Sequence, residues 1–187
     1  MLKKLAFVAV GLLLACRLAS ATVIDFASMP DGPVTTIGIT TWSLAGAGET
    51  GQPVVASGFG GGLWNSSDGV FYPTNDLLRV DFSQAVSGVN FTYNPQGLNG
   101  DPSQGWYAYD NTLTLIASGS FIDGLNSYDL SAYSGITRID WDNGQNDWLS
   151  NLTRIEFTES SRVPEPASLA LLGLGLAGLG FCRRKKV

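Results

Sequence analysis

The sequence predicts an all-β fold, an antiparallel β-sandwich of jelly-roll type, flanked by an N-terminal signal peptide and a C-terminal transmembrane helix. Three observations carry this expectation. Apolar residues recur with period two through the middle of the chain, turn-forming dipeptides separate those runs, and each end pairs an apolar segment with basic residues. The expected division is 1–21 signal peptide, 22–160 β-sandwich domain, and 161–187 linker and terminal signal, with an apolar helix over 167–182 and a basic tail over 183–187.

The N-terminus reads MLKKLAFVAVGLLLACRLASA. Lys3 and Lys4 form a positive leader, Leu5 to Ala15 a short apolar core, and Ala19-Ser20-Ala21 a small-residue site for signal peptidase, with Ala19 and Ala21 as the recognised positions. The apolar run is too short to span ~30 Å of hydrocarbon comfortably.

Strand patterns follow. Leu78, Val80 and Phe82 alternate with Arg79 and Asp81; Val89, Phe91 and Tyr93 repeat the pattern. Leu113 and Leu115, Ile139 and Trp141, then Thr153, Ile155 and Phe157 extend it. The breakers Asn94-Pro95, Asn99-Gly100, Asp101-Pro102, Asp123-Gly124 and Asn143-Gly144 lie between the runs. Eight to eleven short strands with Gly-rich turns fit a sandwich. A β-solenoid would need a fixed internal period, and none occurs.

Composition excludes many chemistries. Between Thr22 and Arg162 there is no Cys, His or Lys, and Arg79, Arg138, Arg154 and Arg162 face fifteen carboxylates, a net charge of −11. Histidine-based nucleophilic catalysis, His/Cys metal sites, lysine Schiff bases and disulfides therefore have no residues to build on. The negative field repels polyphosphate, so no nucleic-acid partner is expected. Paired carboxylates remain, and Glu49, Glu156 and Glu159 are the glutamates a glycan hydrolase or lyase would draw on.

Other signals compete with plain structural explanations. Gly46-Ala47-Gly48-Glu49-Thr50-Gly51 matches a dinucleotide fingerprint, but Gln52-Pro53-Val54-Val55 follows as an extended segment where a helix is required, so it reads as a surface loop. Asp140, Asp142 and Asp147 surround Asn143-Gly144 and are calcium candidates, set against a tight turn. Trp106 and Trp148 stand beside polar turns; with Tyr107 or Tyr109 they form a candidate stacking platform for a glycan, set against core packing. Asn65, Asn90 and Asn151 begin glycosylation sequons in form only.

At the C-terminus, Val163-Pro164-Glu165-Pro166-Ala167-Ser168 precedes sixteen uncharged residues, Ala167 to Cys182, and then Arg183-Arg184-Lys185-Lys186. Positive residues beside an apolar segment stay on the cytoplasmic side, so both basic ends stay inside and the middle is translocated. These three parts in order resemble the PEP-CTERM sorting signal, with Pro164, Glu165 and Pro166 as the sorting motif. The resemblance covers about the last 25 residues. It implies a Gram-negative host that makes exopolysaccharide, processing by exosortase, a membrane-embedded enzyme, and removal of the tail at or near the proline motif. The prolines hold that stretch extended and readable. The expected function is a non-enzymatic exported protein of the envelope or exopolysaccharide matrix, without cofactor. A calcium-stabilised carbohydrate-binding module and a carboxylate-dependent glycan hydrolase or lyase are the alternatives.

Overall fold

Two strands far longer than usual organise the molecule. In the computed structural model, which describes residues 20–46, 51–57, 61–66, 76–95, 98, 103–144 and 150–159, β7 (Asp76–Asn94) and β10 (Asn126–Asp142) run antiparallel side by side. They have 19 and 17 residues, where 3–10 is ordinary. A strand that long cannot keep one face on one core unless it bends.

The bend occurs at glycines. In β7 the buried positions are Leu78, Val80, Phe82 and Val86, then Val89, Phe91 and Tyr93, so the inward parity switches between Val86 and Val89. Gly88 sits at the switch with φ +59, where the register against β11 slips by one residue. In β10 the inward parity switches between Ile136 and Ile139, and Gly135, with φ +78, sits just before it, where the register against β7 also slips. An extra residue in the left-handed region bends and twists a strand, and glycine reaches that region without a Cβ penalty.

The bend divides the sheet into two faces. On one side, β4 (Thr40–Gly46), the first half of β7, the second half of β10, β8 (Gly105–Tyr109) and β9 (Leu115–Ser120) lie in that order. On the other, β1 (Ala21–Asp25) and β11 (Asn151–Glu159) join the second half of β7 and the start of β10. Short strands β2 (Gly32–Pro33), β5 (Val54–Val55) and β6 (Leu63–Trp64) continue from β11, and β3 (Thr36–Ile37) pairs with β4. All pairings among the described residues are antiparallel.

The core lies between the halves. Phe26, on a turn of 3-10 helix after β1, meets Trp42 of β4 edge-on at 5.0 Å. Phe82 meets Phe157 at 5.1 Å, and Phe91 meets Trp141 at 5.3 Å. These aromatic pairs join residues from the two halves.

The all-β antiparallel expectation holds, with specific corrections. The strands form one continuous eleven-stranded antiparallel sheet in which β7 and β10 each serve both halves. Leu113 and Leu115, expected to face inward, are 59% and 50% exposed. They belong to the β8–β9 turn and the edge strand it opens, where Ala117 takes the inward place. Thr153, grouped with Ile155 and Phe157, is only half-buried; a register shift between Leu152 and Arg154 gives the inward position to Leu152. Val54 and Val55 are strand residues, as the loop reading of the glycine run requires. The signal peptide core and the C-terminal apolar helix fall outside the described residues.

Candidate functional site

The outward face of the β4–β7–β10–β8 half carries a cluster of charged and aromatic side chains. It arises from two copies of one tripeptide pattern, Arg79-Val80-Asp81 and Arg138-Ile139-Asp140. Each puts its aliphatic residue into the core and its charged residues on the opposite face of the sheet, where Asp140 is itself buried. Antiparallel pairing sets Arg79 opposite Asp140 and Asp81 opposite Arg138. Tyr107 lies beyond Asp140 and Tyr109 beyond Arg138, while Ser43 and Thr41 flank the other side.

Arg79 donates from Nε and Nη2 to the two Asp140 oxygens at 2.8 and 2.9 Å. The hydrogen bonds that Arg79 donates to this carboxylate hold the guanidinium pKa above its ordinary value, against the opposing effect of burial. Arg138 donates to Asp81 at 2.7 Å. Burial, with a smaller push from the Asp140 charge, raises the Tyr109 hydroxyl, and Tyr107 donates to the Ser103 carbonyl at 3.0 Å. With both guanidiniums engaged by carboxylates, the charges of the two pairs balance, and the face combines them with two tyrosines. Sequence reasoning passed over Arg79 and Arg138, although the repeated Arg-apolar-Asp pattern on two alternating runs was the available signal.

The sequence-predicted site residues scatter. Trp106 is 8% exposed, faces the core and packs edge-on against Phe91 at 6.0 Å. This corrects its expected exposure: strand alternation puts it on the opposite side of β8 from Tyr107 and Tyr109, so it shares no platform with them. Trp148 lies outside the described residues, as do Asp147, Glu49, Ala19, Pro164, Glu165, Pro166, Arg183, Arg184, Lys185 and Lys186. Asp140 is taken by Arg79, and Asp142 accepts from the Gly144 amide at 2.7 Å, closing the turn. Among the described residues no group of three or more acidic, His or Cys side chains is placed to hold a metal. Glu156 pairs with Arg154 at 2.9 Å and Glu159 accepts from Gln84 at 2.8 Å. The sequon residues Asn65 and Asn151 are buried, donating or accepting within the polar network around Ser150 and Gly61.

Ala21 begins β1 directly opposite Thr158, and Thr22 Oγ1 donates to Glu159 Oε1 at 3.4 Å. The first strand thus starts at the predicted signal-peptidase site, and the last ends at Glu159. Beyond Glu159, four residues precede Pro164 in the sequence. The family model for the PEP-CTERM protein-sorting motif matches residues 162–185. The chain carries a PEP-CTERM protein-sorting motif. No curated protein matches the chain. The PEP-CTERM match takes in Pro164, Glu165 and Pro166 and the start of the basic cluster, and it begins three residues after β11 ends.

Proposed function

We propose that this protein is exported as a membrane-anchored precursor and handed by its PEP-CTERM segment to exosortase, which delivers the β domain to the cell surface or the exopolysaccharide matrix of a Gram-negative bacterium. The single observation that carries this is the sorting motif at 162–185 directly following a folded β domain. The domain's role there is non-enzymatic. Its geometry suits display: the start of β1 and the end of β11 lie together, Ala21 opposite Thr158, while Asn151 at the start of β11 lies eight residues, or about 26 Å, away. That far end bears the buried polar network of Asn65, Gln104, Asn143 and Ser150. Signal peptidase and exosortase are the processing partners, and the membrane is a transient one.

Intact mass of the exported product, from cells with and without exosortase, tests the reading. Trimming near Pro164–Pro166 is expected only when the enzyme is present. An identical mass in both strains overturns it.

A second reading rests on the Arg–Asp–Tyr face. Paired guanidiniums with two tyrosine rings suit an uncharged, hydroxyl-rich ligand, which supports a carbohydrate-binding role for the same domain. Titration with the host polysaccharide, followed by NMR shifts of Tyr107 and Tyr109, tests it. Undisturbed tyrosine resonances at millimolar sugar reject the role.

A further inference from the structure

The small-residue site expected at Ala19-Ser20-Ala21 does not stand clear of the fold; its last residue is already part of it. Ala21 is the first residue of β1 and lies opposite Thr158, and Thr22 lies opposite Phe157. Cleavage after Ala21 hydrolyses the bond to Thr22: water gives its hydroxyl to the Ala21 carboxyl and its proton to the Thr22 nitrogen. The amine so released has an ordinary pKa of about 7.7–8.0 and is an ammonium at neutral pH. Cleavage thus sets a cation within the first strand.

Glu159 is placed to receive it. This residue ends β11 on the same face as Phe157, and so on the same face as Thr22. Its Oε2 accepts from Gln84 of β7 at 2.8 Å, while its Oε1 has the Thr22 hydroxyl at 3.4 Å. An O–H···O bond ordinarily measures about 2.5–3.0 Å, so Oε1 can accept a closer donor. Among the described residues no arginine is paired with Glu159. The Thr22 nitrogen is joined through Cα and Cβ alone to the oxygen that already touches this carboxylate. An ammonium there makes a charge-assisted hydrogen bond, roughly twice as strong as a neutral one. Both residues are half-buried, which limits screening.

The neighbouring charges do not compete. Glu156, opposite Val23, belongs to the other face and is held by Arg154, which stands opposite Asp25 at the far end of β1. β7 meets Glu159 with the uncharged Gln84. We infer that removal of the signal peptide creates a Thr22 ammonium that pairs with Glu159 and locks β1 onto the end of β11. This lock rests on the export reading above, since Thr22 has no free amine until the signal peptide is removed. It lies where the chain leaves the fold, three residues before the matched sorting segment begins.

The exported product provides the test. Lysines occur only at 3, 4, 185 and 186, so from Thr22 to Arg184 the sole amine is that of Thr22 itself. Acetylation of the N-terminal peptide, followed by mass spectrometry across pH, gives two quantities: the midpoint reports charge and the high-pH plateau reports access. At pH 7 the wild-type product should react about threefold to fivefold more slowly than Glu159→Gln, through a raised midpoint and an equal plateau. Acetylation should lower the thermal midpoint of the wild-type product by about 1–4 °C and leave that of Glu159→Gln unmoved. Equal amine midpoints in the two products overturn the inference, and so does an N-terminus other than Thr22. A product that starts at Thr22 with the raised midpoint but still carries Lys185 and Lys186 supports the lock and rejects exosortase trimming.

Discussion

Arg79 and Asp140 form a two-bond ion pair in which the carboxylate is the more hidden partner, with side-chain exposures of 25% and 6%. Its neighbour, Arg138 with Asp81, has the reverse balance, 24% and 41%. The two pairs share one face and one sequence pattern, yet removing their cations has different consequences. Arg79→Met strands a buried carboxylate, which costs about 3 kcal/mol, the low end for breaking a buried pair. Arg138→Met leaves Asp81 free to hydrate and costs about 0.5–1 kcal/mol. Urea unfolding midpoints of the two variants check the order. Equal losses would mean that Asp140 finds water or another donor.

Leu113 has φ +62, the single non-glycine residue in the left-handed region among those described. It closes the β8–β9 hairpin, a turn that ordinarily puts glycine in this place. Being 59% exposed, its side chain contributes little packing to offset the strain. Leu113→Gly should therefore raise stability by about 0.5–1 kcal/mol, a relief of 1–2 kcal/mol reduced by the entropy of glycine in the unfolded chain. Leu113→Ala retains a Cβ and should gain nothing. Paired thermal melts of the two variants separate strain from loss of the exposed leucine.

The same hairpin shows what the sequence could reveal. Period-two runs such as Leu78-Val80-Phe82 were readable because both the strand and its buried face persist over several residues. Leu113 and Leu115 obey the same period but sit in a turn and on an edge, and period alone cannot separate an edge from a core. Thr153 went astray for a different reason: a bulge moves every later residue to the other face, and only the partner's register reveals it. The length of β7 and β10 was hidden likewise, since Gly88 and Gly135 look like strand ends when they are bends within a strand. At the site, Trp106 seemed exposed from its polar neighbours, but the β8 alternation turns it inward. Tyr107 and Tyr109 fall on the outer face by that same alternation.

Trp106 lies across the β8–β9 ladder from Gly119, and a Cβ built on Gly119 would stand 2.7 Å from the indole ring. Gly119→Ala should displace the ring from Phe91, costing about 1–3 kcal/mol as overpacking does. The change should appear in the near-ultraviolet circular dichroism as altered tryptophan bands. Gly105→Ala is the harsher variant, because its Cβ would approach the Gly119 carbonyl oxygen to 2.3 Å and the backbone cannot rotate away. Its loss of stability should exceed that of Gly119→Ala, and a milder effect would show that β8 and β9 separate more readily than their pairing implies.

Asp110 and Asp129 both hold their carboxyls below the ordinary aspartate range, through hydrogen bonds led by Thr112 and by Ser131 respectively. A carboxylate with a depressed folded pKa adds stability that is complete above the unfolded value of about 3.9 and is lost as pH falls through the folded value. The hairpin before β9 should therefore loosen only in acid, below the range where free aspartates protonate. NMR titration of the Thr112 and Thr114 amides would follow it, with their shifts moving at the depressed Asp110 midpoint. Asp110→Ala should abolish that transition and remove the hydrogen bonds that order the turn between Asp110 and Thr114. Titration of Thr112 and Thr114 at an unshifted aspartate midpoint would show that the Asp110 side chain does not hold the turn.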